Sequence, residues 1–320
     1  MFDKTNGRSL LTRSAAMASV FTAVLLLGLK LWATAQSGST AMLASLTDTG
    51  LDLLASVMTL IAVAYAARPA DEDHRFGHGK AEALAAGIQM VLIGVAAVLV
   101  AISAIKGLIA PAADEVATGP AITVSIIAIV LTIALISYQR FVVSRTGSIA
   151  IKADAMHYQA DLLLNASVIG AMMMQAFTTA TWIDPLCGLA IAAWLAHGAW
   201  DTANEALDHL MDREWDEGRR EKLILIVAGH REVSNLHDLR TRTSGSTHFA
   251  QFHVDMPKDV TVGEAHDIID NIEADLAKEF PNTEVIIHID PKGHVDEPEN
   301  PLRETNEFEV IDLDSRRKAA

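Results

Sequence analysis

Apolar positions in the first two-thirds of the chain gather into long runs, not into the alternating or one-face patterns of a soluble core. The runs lie at 14–33, 40–66, 84–110, 119–141, 150–177 and 184–209, separated by Gly, Pro and polar breaks. At about 1.5 Å of rise per residue, such runs cross a hydrocarbon layer of about 30 Å as helices. The first run has some marks of a signal peptide, with Lys4, Arg8 and Arg13 ahead of it and Ala33-Thr34-Ala35 behind. It is longer than a usual apolar signal core, and five further runs follow, so a spanning helix is the expectation. Lys and Arg sort between alternate ends of the runs. Arg68, Arg75 and Lys80 lie between the second and third, and Arg140, Arg145 and Lys152 between the fourth and fifth, while AQSGST, PAADEVATG and TTATW carry neither residue. The positive-inside rule then places both termini in the cytoplasm.

After Met211 the texture changes. Residues 214–228 predict a helix, and 233–242 and 247–256 alternate as the strands of a hairpin turning at Ser244-Gly245-Ser246. Residues 261–279 predict an amphipathic helix opened by Thr261 with Glu264 three residues on, a capping-box pattern, and 284–290 a last strand. The expected fold is an α-helical membrane protein: a six-helix transmembrane domain at 1–211, a cytoplasmic α+β domain of αββαβ order at 212–291, and a flexible polar tail at 292–320.

Composition agrees with two halves in different solvents. The mean hydropathy of +0.27 over 320 residues averages them. The single cysteine, Cys187, excludes a disulfide scaffold, and a pI near 5.1 gives no electrostatic footprint for nucleic acid. The net charge of −15 points to cations as partners, and most of it falls after residue 210, with −4 before that point and −11 after it.

The charges inside the apolar runs carry the chemistry. Asp48 and Asp52 are four apart in the second run, and His157 and Asp161 are four apart in the fifth with Asn165 one turn further, so each set shares a helix face. Three carboxylates near the midplane would cost about 8–10 kcal/mol if left uncompensated. Lys30 and Lys106 look isolated and too few to neutralise them. Three carboxylates and one imidazole are instead a ligand set suited to Zn²⁺, Cd²⁺ or Fe²⁺ rather than Mg²⁺ or Ca²⁺. A cation site at the midplane is read as a transport site. Between the second and third runs, Asp71, His74 and His78 form a second candidate group, with Gly77 and Gly79 arguing against regular helix. The C-terminal domain holds six of the chain's twelve histidines, His230, His237, His248, His253, His266 and His288, with Asp238 beside His237 and Asp290 on the face of His288. Such clustering predicts a metal site there.

This combination resembles the cation diffusion facilitator family, in its bacterial zinc and ferrous-iron efflux branch. The likeness spans about residues 10–291 and rests on the six runs, the Asp48/Asp52 and His157/Asp161 set, HRFGHGKAE from His74, HDLRTR from His237 and IIHIDP at 286–291. It implies a homodimeric inner-membrane antiporter exchanging divalent metal for protons, with Asp48, Asp52, His157 and Asp161 as transport site and Asp71, His74 and His78 as loop site. It also implies a bridged cytoplasmic metal pair on His237, His253, His266, His288 and Asp290, and a charge contact at the dimer interface involving Lys80 and Asp212. His230, His248 and the tail match nothing in that pattern. An enzyme is disfavoured: HExxH is absent, and a filled tetrahedral shell leaves no position for an activated water. The stronger rival is a metal-gated channel or membrane metal sensor using the same cytoplasmic histidines.

Overall fold

The computed structural model describes residues 4–37, 40–109, 119–175, 182–294 and 306–310. The chain divides into two compact units, Met1–Leu210 and Met211–Ala320. All but the last residue of each of the connectors expected at 111–119 and 178–182, and most of the tail expected at 292–320, lie outside the described residues.

The first unit contains the helices α1 (Lys4–Ser37), α2 (Thr40–Ala66), α3 (Lys80–Ile109), α4 (Gly119–Thr146), α5 (Ile149–Gln175) and α6 (Ile183–Leu210). Among the described residues, four carry stretches long and apolar enough to cross a membrane: Gly7–Ala35, Leu46–Ala66, Lys80–Ile109 and Thr123–Thr146. α3 lies along α6, α1 along α2 and α4, and α5 against α3, α4 and α6. Large apolar side chains such as Phe21, Leu54, Ile61, Val91 and Leu99 point outward. The packed interior of α3, α5 and α6 is built largely from small residues, among them Ala83, Ala86, Ala97, Ala153, Ala160, Ala199 and Ala206. Lipid tails are as apolar as leucine, so burying leucine gains little, whereas small side chains let helix backbones approach. A Cβ on Gly188 of α6 would sit 3.2 Å from that of Ala104 on α3.

The second unit runs α7 (Glu217–Val227), β1 (Ser234–Ser244), β2 (Thr247–Met256), α8 (Val262–Glu279), β3 (Thr283–Pro291) and a terminal turn α9 (Glu307–Val310). The αββαβ order matches the expectation. The sheet order is β1-β2-β3, with β1 antiparallel and β3 parallel to β2. Gly245, at φ +59°, supplies the left-handed position of the hairpin turn. Inward residues of the elements meet in one core, including Leu223, Val227, Leu236, Phe252, Ile272 and Leu276. Within the stretch expected to be a flexible tail, residues 307–310 instead form a helical turn. Phe308 packs against that core and Glu307 lies 3.4 Å from Arg220. The few apolar residues Phe308, Val310, Ile311 and Leu313 in a polar segment were too short a pattern to predict this docking.

Candidate metal sites

In the membrane unit α2 and α5 pack together and bring three of the four expected ligands to one place. His157 Nε2 lies 3.0 Å from Asp52 Oδ1 and 3.7 Å from Asp161 Oδ2. Asp161 Oδ2 is buried without a hydrogen-bond partner. A buried carboxylate oxygen in that condition is costly unless something positive occupies the space in front of it. Asp48 differs from the expectation: it is exposed and lies outside the three-residue group. Four residues of helix place its backbone about 6 Å along the axis from that of Asp52.

A cavity of about 30 Å³, roughly the space of one water, adjoins these ligands and is lined by Lys30, Thr49, Asp52, Thr132, Tyr158, Asp161 and Asn165, among others. Lys30 is therefore not the isolated cation that the sequence suggested. Its Nζ donates to Thr49 Oγ1 at 2.5 Å. Asn165, expected on the same stripe, lines the cavity and donates to the Asp161 carbonyl at 2.8 Å.

One turn before His157 on α5 is a carboxylate that the i,i+4 spacing rule passes over. Asp154 has no exposed surface. Its Oδ2 accepts from Ser19 Oγ (2.5 Å) and Gln139 Nε2 (2.6 Å), and its Oδ1 from Gln89 Nε2 (3.2 Å). Gln89 Nε2 also donates to Thr59 Oγ1 at 2.9 Å, so the network joins α1, α2, α3, α4 and α5. Its sequence signal was available: an Asp in an apolar run together with two glutamines in neighbouring runs.

The loop 67–79 is not helical, and Gly77 adopts φ +77°. Asp71 Oδ1 accepts from the backbone amides of Asp73 (3.1 Å) and His74 (2.7 Å), an Asx-type turn that folds the loop over its own acid. The His74 amide, as the largest influence, holds the Asp71 carboxyl below the usual carboxylate range. The exposed His74 Nδ1 and buried His78 Nε2 each lie 3.3 Å from Asp71. His78 Nδ1 is buried with no hydrogen-bond partner. All three expected loop residues thus converge.

In the second unit the register sets His237 opposite His253 and His253 opposite His288, a row of three histidines across the sheet. Register shifts flank His237, with Asn235 at φ 52° and Asp238 at φ 48°, so the strand is locally re-aimed at this point. His237, His253 and Asp290 form a potential ligand group. His253 Nδ1 is 2.8 Å from Asp290 Oδ2, while its Nε2 is 3.8 Å from Asp238 Oδ2. His288 Nε2 is 3.5 Å from Asp290 Oδ1. One imidazole between two carboxylates, with Asp290 shared by three histidines, is an arrangement able to bridge two cations. Asp238 is the added member of this cluster. His266 stands apart, exposed on α8 and 3.7 Å from Asp270. His230 faces Asp275 of α8 at 3.3 Å. His248 packs edge-on to Trp215 and meets Thr243 Oγ1 at 3.0 Å, a structural role. Lys80 Nζ donates to the Leu210 carbonyl at 3.1 Å, and Asp212 lies 3.7 Å from Arg242.

Three groups of side chains able to hold a metal ion lie on a helical membrane protein, and comparison with known proteins decides the class. Residues 16–211 match the cation efflux transmembrane domain and 215–292 the cytoplasmic domain of cation efflux proteins. The chain belongs to the cation efflux family. It is 43% identical over 277 residues to the cation-efflux pump FieF of Shewanella oneidensis, covering 87% of this chain and 93% of that protein. It is 37% identical over 311 residues to the FieF pump of Salmonella newport, covering 97% and 100%. A solved chain of CzrB aligns at 31% identity over 25% of this chain and 99% of its own, with a TM-score of 0.24. As a family member the protein is an integral membrane transporter for the efflux of divalent metal cations.

Proposed function

We propose that the protein exports Zn²⁺, with Cd²⁺ and Fe²⁺ as further substrates, across the inner membrane in exchange for protons, as a homodimer with both termini cytoplasmic. The observation that carries this reading is the convergence of Asp52, His157 and Asp161 between two helices, with Asp161 Oδ2 buried and lacking a hydrogen-bond partner. A dication there takes carboxylates and a neutral imidazole, and Asp48 swings in to complete a tetrahedral shell. The same ligands bind protons when the metal leaves, so loading and protonation exclude each other. Alternating access of the site to the two faces then couples the two flows. The loop group Asp71, His74 and His78 binds a second ion. The cytoplasmic group of His237, His253, His288 and Asp290 holds a bridged pair, with His266 supplied across the dimer.

The test is Zn²⁺ and Fe²⁺ flux in proteoliposomes under an imposed pH gradient. Wild type accumulates metal against its gradient and Asp52→Ala does not. Flux that ignores the pH gradient would sink the antiport reading in favour of a metal-gated channel.

A further inference from the structure

The site that gathers Asp52, His157 and Asp161 also contains a cation of its own. Lys30 lies seven residues before the end of α1. A lysine so placed ordinarily extends along its helix to put its ammonium in the interfacial water. Here the side chain turns into the bundle. Its Nζ bonds Thr49 Oγ1 on α2, a residue only 1% exposed, and it shares a cavity of about 30 Å³ with Asp52 and Asp161. Thr49 follows Asp48 and precedes Asp52 by three residues on the same helix.

We propose that Lys30 is the built-in counter-charge of the transport site and sets how tightly that site holds a dication. The inference rests on the transport reading of Asp48, Asp52, His157 and Asp161. Once Asp48 joins Asp52 and Asp161 in the loaded state, three ionised carboxylates and one ammonium leave two net negative charges, which one dication cancels. In the metal-free protein the ammonium offsets part of the repulsion among carboxylates in a medium that screens poorly. In the loaded protein it repels the metal, so the ion is bound but not trapped. Without Lys30 the loaded site carries a net negative charge and the metal meets no opposing cation.

The rival account is a mechanical one, in which Lys30 pins α1 to α2 through Thr49. The two accounts predict opposite changes in affinity. Zn²⁺ alone is titrated into the full-length protein at mildly alkaline pH, and the component of the isotherm that Asp52→Ala removes is taken as the transport site. Lys30→Gln, which keeps a donor for Thr49, and Lys30→Met should each tighten that component by roughly tenfold or more, and Lys30→Arg should stay near wild type. Unchanged or weaker binding in both neutral variants overturns the proposal, as does equal tightening in the arginine variant. If both neutral variants fail to assemble while Lys30→Arg assembles, the charge holds helices together and the proposal is likewise overturned. If Asp52→Ala removes no component, the transport-site reading itself fails and the Lys30 proposal falls with it.

Discussion

Asp154 illustrates what a single residue does in this fold. A carboxylate with no exposed surface is tolerable because Ser19, Gln89 and Gln139 all donate to it. Asp154→Ala removes the acceptor at which the three donors converge and leaves each with one other acceptor, Thr59 Oγ1 for Gln89, Ser19 Oγ for Gln139 and the Ala15 carbonyl for Ser19; at about 1 kcal/mol per intramembrane hydrogen bond the loss is a few kcal/mol. Asp154→Asn should be milder. The free carbonyl oxygens of Gln89 and Gln139, which are buried without hydrogen-bond partners, become acceptors for the new amide if a glutamine flips. Thermal unfolding in detergent should therefore rank wild type above Asp154→Asn and Asp154→Ala last; an alanine variant as stable as wild type would refute this account. Asp71 is a residue-scale case with a pH sign. Its carboxyl is held low chiefly by the His74 amide, so the ionised form favours the folded loop. That contribution is present above the ordinary carboxylate range and is lost as pH falls through the lowered value. Amide hydrogen exchange at His74, corrected for intrinsic rates, should stay protected at neutral pH and lose protection only in acid below that range.

Whole elements were legible to different degrees. α8 was readable to the residue: Thr261 Oγ1 accepts from the Glu264 amide at 3.3 Å, and Glu264 Oε2 accepts from the Thr261 amide at 2.9 Å. Thr261→Ala should cost about 1 kcal/mol of stability, measured by denaturant unfolding of the full-length protein with a probe in the second unit. The strands were visible from alternation, yet alternation is silent on direction. Nothing local separates the parallel β2/β3 pair from an antiparallel one, and only that register sets His253 beside His288. The same limit explains Asp48. Helical spacing puts Asp48 and Asp52 on one face, but which of them meets His157 depends on the axial offset between α2 and α5, a tertiary quantity.

At the scale of the molecule the excess acid has been divided. Much of it lies in the second unit, where Asp238 and Asp290 flank His253. If metal binds there only in the folded state, Zn²⁺ should stabilise the full-length protein by about 2.7 kcal/mol per site at a hundredfold excess over Kd. His253→Ala, which removes the imidazole between two carboxylates, should abolish most of the metal-dependent rise in thermal midpoint of that unit, and a full rise in the variant would place the metal elsewhere. Periodicity, capping and motif spacing are local, so the order of residues alone carries the long apolar helices, the αββαβ order and the family. Packing in three dimensions is what turns Lys30 into the cavity beside Asp52 and Asp161, ties five helices at Asp154, returns Phe308 to the core and aligns three histidines across the sheet. Each of these joins residues far apart in the chain, and no local pattern encodes the packing that brings them within a few ångströms.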